Sequence, residues 1–114
     1  MAIAEQGIGQ YVVLIPEGRL LGALAKEYED RVEALLGGGS LHLVTDLQRV
    51  PHMDSTGVRA VVRGYTTAQR LGGSFKLVGP PATIRMVLQV TRLDSILPIY
   101  DSVEAATAAS PRKT

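Results

Sequence analysis

Apolar residues along the chain fall into short continuous runs and longer runs with a period of three to four. Gln10-Tyr-Val-Val-Leu-Ile-Pro16 is short, β-branched and closed by proline, which predicts a strand buried on both faces. The weaker stretch Ala2 to Gln6 is predicted to pair with it as a hairpin across Gly7-Ile8-Gly9. Leu21, Leu24, Tyr28, Val32 and Leu35 then recur at helical spacing with charged residues between them, and Gly37-Gly38-Gly39 stops that helix. Ser40-Leu-His-Leu-Val-Thr-Asp-Leu47 reads as a second buried strand. After a loop from Gln48 to Met53, Asp54-Ser55-Thr56-Gly57 opens a helix whose predicted stripe is Val58, Val61, Val62, Tyr65 and Ala68, ended by Gly72-Gly73.

Ser74-Phe-Lys-Leu-Val78 is a third strand. Gly79-Pro80-Pro81 turns the chain, with Pro81 predicted at the first helical position and Ile84, Val87, Leu88 and Thr91 on the next apolar stripe. Ile96-Leu-Pro-Ile-Tyr100 is a short strand that Pro98 assigns to an edge. Asp101 and Glu104 have capping-box spacing, with Ser102 an equal candidate for the cap, and a short Ala-rich helix follows. Strands alternating with helices predict one α/β domain over residues 1–109, a mixed, mostly parallel β-sheet with helices packed on it and right-handed crossovers. The central strands are Tyr11–Ile15, Leu41–Asp46 and Phe75–Val78, and residues 110–114 form a polar tail.

Composition narrows the function more than the fold. A chain of 114 residues is one domain, large enough to bury a core without staples, and its lack of cysteine excludes disulfides, thiolate metal sites and thiol catalysis. Twelve Lys/Arg against eleven Asp/Glu leave a net charge of +1 with no basic stripe, so no nucleic-acid partner is expected. No apolar stretch is long enough to span a membrane and the start lacks the form of a signal peptide, so the expected location is the cytoplasm.

Few residues offer chemistry. His42 and His52 are too few and wrongly spaced for a zinc site, and no metal or cofactor is expected. His42 lies within an apolar strand and reads as a satisfied or edge histidine. His52, Asp54 and Ser55 are triad residue types crowded too closely for triad geometry, and Met53 stands where a nucleophile elbow needs glycine; catalytic residues are therefore not expected. Gly37-Gly38-Gly39-Ser40 lacks the lysine of a phosphate loop and precedes a strand. Asp54-Ser55-Thr56-Gly57 remains. Helix capping accounts for its first three residues. Gly57 costs about 1 kcal/mol relative to alanine in a helix, and is explained if something approaches the backbone closely there. A hydroxyl at a helix start is also a good place for a phosphate, because free N–H groups and the dipole stabilise the added charge. Both readings fit.

Leu43-Val-Thr-Asp-Leu-Gln-Arg-Val-Pro-His-Met-Asp-Ser-Thr-Gly-Val58 resembles the core of a STAS domain, the family of anti-sigma factor antagonists. The likeness continues through Gly72-Gly73-Ser-Phe-Lys-Leu-Val78, Ile84 to Leu93 and Ile96 to Ala106, covering about residues 8 to 108. The resemblance implies a STAS-like domain and partner switching. The unphosphorylated antagonist binds an anti-sigma factor that is also a serine kinase; phosphorylation releases it and a phosphatase restores it. It implies Ser55 as phosphoacceptor, Asp54 as its acidic neighbour and Thr56-Gly57 as the start of the switch helix. Arg59 and Arg63, which fall off the apolar stripe of Val58, Val61, Val62 and Tyr65, join Asp54, Ser55, Thr56 and Gly57 as the expected partner-binding residues. Two departures stand out. Gly18-Arg19-Leu20-Leu21 replaces the family's Gly-Glu-Leu-Asp, and Thr91-Arg92-Leu93 has arginine where glycine is usual, so that turn is not expected to need a left-handed residue. The departures keep open a second expectation, a constitutive docking subunit of a lipid-transport or other signalling complex. Edge strands and exposed apolar helix residues permit a homodimer.

Overall fold

The computed structural model describes residues 2–109, so the tail at 110–114 lies outside the described residues. The strands are β1 Ile3–Ile8, β2 Tyr11–Pro16, β3 His42–Asp46, β4 Ser74–Val78 and β5 Ile99–Tyr100. The helices are α1 Gly22–Gly37, α2 Ser55–Arg70, α3 Ala82–Val90 and α4 Val103–Thr107, with a 3₁₀ turn at Leu93–Ser95. The strands form one sheet in the order β1-β2-β3-β4-β5. Only β1 and β2 are antiparallel; the other neighbours are parallel. The α/β class and the mixed, mostly parallel sheet are as the alternation predicts.

The sheet order follows the chain, so each crossover adds a strand on the same side of the last. Parallel units of one hand then place α1, α2 and α3 together on one face. There Leu14, Leu43, Phe75 and Leu77 of the strands meet Tyr28, Val32, Ala60, Val61, Ile84 and Leu88 of the helices. The pleat sends Tyr11, Val13, Val44 and Val78 to the opposite face, where Ala106 of α4 covers them. The buried Thr45 hydroxyl on β3 is satisfied by the Tyr28 hydroxyl at 2.6 Å, tying α1 to the sheet, and burial pushes the Tyr28 phenol well up. Lys76 on β4 reaches under α4, donating to Tyr11 Oη at 2.8 Å and to the Ala106 carbonyl at 2.9 Å.

Several details differ from the expectations. Ile8 faces Tyr11, so the hairpin loop is Gly9-Gln10 rather than Gly7 to Gly9; Gly9, at φ +59°, supplies the positive φ that the first position of a two-residue hairpin turn requires. Helix α1 buries Ala25, Tyr28, Val32 and Leu36, leaving Leu24 and Leu35 on the margin of the core and Leu21 as its cap. Pro81 caps α3 from outside with an extended ψ of 166°, its carbonyl accepting from Ile84 and Arg85. Ile96 is exposed and β5 pairs only through Ile99 and Tyr100, because the 3₁₀ turn at 93–95 occupies the chain before it. Ser102, not Asp101, caps α4 by accepting from Ala105 N–H at 3.0 Å. Arg92 adopts φ 62°, ψ 18°, so the turn after α3 is left-handed despite its side chain. It is the one non-glycine residue at positive φ among those described.

Candidate functional site

The site begins at the carboxyl end of β3. Asp46 closes the strand by accepting from Gln48 N–H at 3.0 Å, and buried Val50 and Met53 pin the loop that follows. The segment after β2 lies alongside this loop. Gly18 N–H donates to the Arg49 carbonyl at 3.1 Å, Leu20 N–H donates to the His52 carbonyl at 2.9 Å, and Leu20 and Met53 form a parallel bridge. Arg19 stands exposed between these anchors, with no ion pair to any described residue. Sequence patterning did not bring these two loops together, since neither is periodic.

Asp54 then caps α2 from an extended backbone. Its Oδ1 accepts from Thr56 N–H at 3.0 Å, from Gly57 N–H at 3.2 Å and from the Thr56 hydroxyl. The Thr56 hydroxyl holds the Asp54 carboxyl below the usual aspartate range; desolvation opposes the shift and the two N–H groups add to it. Thr56 is thereby committed to the cap. Ser55, the first residue of α2, is exposed, and its hydroxyl bonds to no described residue. Of the two hydroxyls at this helix start, one is tied down and the other faces solvent at the positive end of the dipole.

Gly57 is buried, and the chain itself explains it. A Cβ there would sit 2.3 Å from the Leu20 carbonyl oxygen and 2.5 Å from Met53 Cγ. What approaches Gly57 closely is the segment after β2, which the glycine seats. The remaining candidates divide. Arg59 is exposed, four residues beyond Ser55, with no ion pair to a described residue. Arg63 reaches to α1 and pairs with Glu29 at 3.7 Å and Glu33 at 3.3 Å.

The face that α2 buries is also shifted from the expected stripe. Gly57, Ala60, Val61, Gly64 and Ala68 are buried, whereas Val58, Val62 and Tyr65 are only partly so. Val58 and Val62, with Met53, Asp54, Ser55, Arg59, Val87 and Thr91, line an apolar groove of about 500 Å³ between α2 and α3. Thr91, expected on the buried stripe of α3, is exposed at this groove. The groove was legible only had small residues been allowed to face the core.

His52 is exposed, and no hydrogen bond among the described residues joins it to Asp54 or Ser55. His42 is half-buried on β3, with Nδ1 2.9 Å from Ser74 Oγ and its ring edge-on to Tyr11. No helix among the described residues is long and apolar enough to cross a membrane.

Known proteins resemble this chain in sequence and fold. BtrV of Bordetella bronchiseptica, provisionally named an anti-sigma factor antagonist, is 27% identical over 109 residues, covering 96% of this chain and 94% of its own. The crystal structure of a protein from Thermotoga maritima with the same provisional name superposes with a TM-score of 0.89 at 27% identity, covering 93% of this chain and 92% of its own. Bacillus SpoIIAA in its phosphorylated form shares the fold, with a TM-score of 0.76 at 21% identity over 92% of this chain and 96% of its own. The STAS domain family matches residues 2–106. The chain belongs to the STAS domain family.

Proposed function

We propose that this protein is an anti-sigma factor antagonist that works by partner switching, with Ser55 as the phosphoacceptor. The observation that carries the reading is the division of labour at the start of α2: Asp54 and Thr56 bind each other in the cap, and the Ser55 hydroxyl is left exposed and bonded to no described residue. Unphosphorylated, the exposed surface of Asp54, Ser55, Thr56 and Arg59 binds an anti-sigma factor that is also a serine kinase. Gly57 seats the loop beneath this surface, and Arg63 flanks it. A phosphate on Ser55 adds roughly −1.5 to −2 charge at neutral pH, which the helix dipole tolerates and an interface fitted to a hydroxyl does not. The complex then dissociates, and a phosphatase restores the serine. The protein acts in the cytoplasm as a binding partner, not an enzyme.

The test is incubation with ATP and each anti-sigma factor of the serine-kinase type from its host, followed by site mapping and binding assays. Phosphate is expected on Ser55. Ser55→Ala should hold the partner constitutively and Ser55→Asp should weaken it, a carboxylate mimicking a phosphate's charge only in part. Phosphate only on other residues, or full affinity in the Ser55 phosphoprotein, overturns the switch. Arg19 favours one second reading, fixed docking on a different partner, because the exposed segment along the loop before α2 is basic where the family motif is acidic. In that case Ser55→Ala leaves function intact and Arg59→Glu abolishes it.

A further inference from the structure

The groove between α2 and α3 is made of apolar surface that folding leaves over. Helix α2 turns its glycines and alanines to the core, so Val58 and Val62 remain partly exposed and face Val87 of α3 across the groove. On the outer side of α3, Met86 is 64% exposed and Val90 is 78% exposed, extending the apolar surface away from the groove. Isolated exposed apolar residues are ordinary; a groove flanked by more of them on the same helix marks an interaction surface.

Its geometry and charge restrict the occupant. Most of the lining comes from two helices whose backbone hydrogen bonds are internal, so no free strand edge offers a ladder to an added strand. Ser55, Val58, Arg59 and Val62 follow the i, i+3, i+4, i+7 pattern along α2, a stretch of about 10 Å or two helical turns. A helix laid alongside presents matching side chains at that spacing. The charged groups of the lining are Asp54 and Arg59. Oδ1 of Asp54 is taken by the helix cap and turned to its own N–H groups and the Thr56 hydroxyl, whereas the Arg59 guanidinium has no ion pair to a described residue. Arg19, on the segment bridged to Met53, adds a second cation with no ion pair to a described residue.

We infer that this groove binds an amphipathic helix of a partner protein, its apolar residues against Val58, Val62 and Val87 and its carboxylates toward Arg59. The inference rests on the proposed function in taking the surface around Ser55 as the partner surface, and it gives that surface its chemistry. Ser55 lies one helical turn before Arg59, with the anionic position N-terminal to the cationic one, the favoured order for an i, i+4 ion pair. A phosphate on Ser55 therefore claims the cation that the partner's carboxylate needs, and release follows from competition within α2 as well as from repulsion.

The test uses the whole protein, isotopically labelled, and two synthetic amphipathic peptides of about five helical turns. They share their leucine positions and differ in carrying glutamates or lysines on the polar face. The glutamate peptide should perturb the amides of Ser55, Val58, Arg59, Val62, Val87 and Thr91 and bind roughly tenfold more tightly than the lysine peptide, with affinity falling as salt rises. Arg59→Glu should reverse the preference, Arg59→Lys should keep it, and the Ser55 phosphoprotein should lose it. Equal binding of the two peptides, no binding, perturbation confined to another face, or indifference to Arg59→Glu overturns the inference. So does sedimentation as a dimer that Val90→Glu dissociates, since a second copy then covers this surface. Peptide binding in the groove by a protein whose Ser55 is never phosphorylated sustains the inference and refutes the switch. Phosphorylation at Ser55 with no peptide preference does the reverse.

Discussion

Gly57 is where the start of α2 and the segment after β2 become one surface. The Leu20 carbonyl occupies the space a Cβ would need, and this carbonyl belongs to a segment held by two backbone hydrogen bonds and the bridge to Met53. A rigid backbone oxygen does not yield as a side chain does, so Gly57→Ala is expected to destabilise the fold by about 2–3 kcal/mol despite alanine's better helix propensity. Chemical denaturation measures the loss, and hydrogen exchange should show Leu20 N–H losing protection from the His52 carbonyl. Asp54 gives a second prediction at this scale. Its carboxyl is held below the ordinary aspartate value in the folded state, mainly by the Thr56 hydroxyl. A depressed folded value means its contribution is complete above the ordinary value and is lost as pH falls through the folded one. Protection of the Gly57 amide should therefore be constant through neutral pH and decline only in the acid range. Asp54→Asn should flatten that decline while keeping an acceptor for the cap.

Elements with large apolar residues in one register could be read from the sequence, and those built on small residues or unusual backbone could not. The continuous runs marked β2, β3 and β4, and the capping chemistry of Asp54-Ser55-Thr56 located the start of α2. Of the expected stripe of α2, Val61 and Ala68 are buried; the face is displaced because periodicity also gives weight to Val58, Val62 and Tyr65, whereas close packing selects Gly57, Ala60 and Gly64. The candidate residues were legible as a string; their separation into the exposed Ser55, the committed Thr56, the buried Gly57 and the α1-bound Arg63 depends on three-dimensional neighbours. Arg92 shows the converse limit. Its side chain argued against a left-handed turn, yet the turn between α3 and the 3₁₀ segment retains one. An L-residue other than glycine costs roughly 1–2 kcal/mol in that conformation, partly offset by the greater unfolded-state freedom of glycine. Arg92→Gly should accordingly stabilise the protein by about 0.5–1 kcal/mol, seen as a higher denaturation midpoint with an unchanged slope. A loss of stability would mean that the Arg92 side chain makes a contribution larger than its backbone strain.

Across the whole molecule the two faces of the sheet are covered unequally. Three helices close the face beneath the site, while the other has Ala106 of the five-residue α4 over Tyr11, Val13, Val44 and Val78. So short a helix has little stability of its own and must be held by what it packs against. Lys76 is the cation placed to hold it. Its ammonium donates to the Ala106 carbonyl near the end of α4 and to Tyr11 Oη, and lies 4.7 Å and 5.0 Å from the ring centroids of Tyr11 and Tyr100. Tyr11 Oη in turn donates to the Ala109 carbonyl at 3.1 Å. A positive charge at a helix C-terminus, over two aromatic faces, satisfies carbonyls that α4 cannot satisfy internally. Lys76→Met keeps the apolar stem and removes the charge. It should release α4 selectively, with amides from Ala105 to Thr107 exchanging far faster while β3, α1 and α2 keep their protection. Because the Ser55 surface belongs to the opposite layer, the variant should bind the partner of that surface with wild-type affinity. Weakened binding would show that α4 and the start of α2 are coupled through the sheet and that the two faces do not act independently.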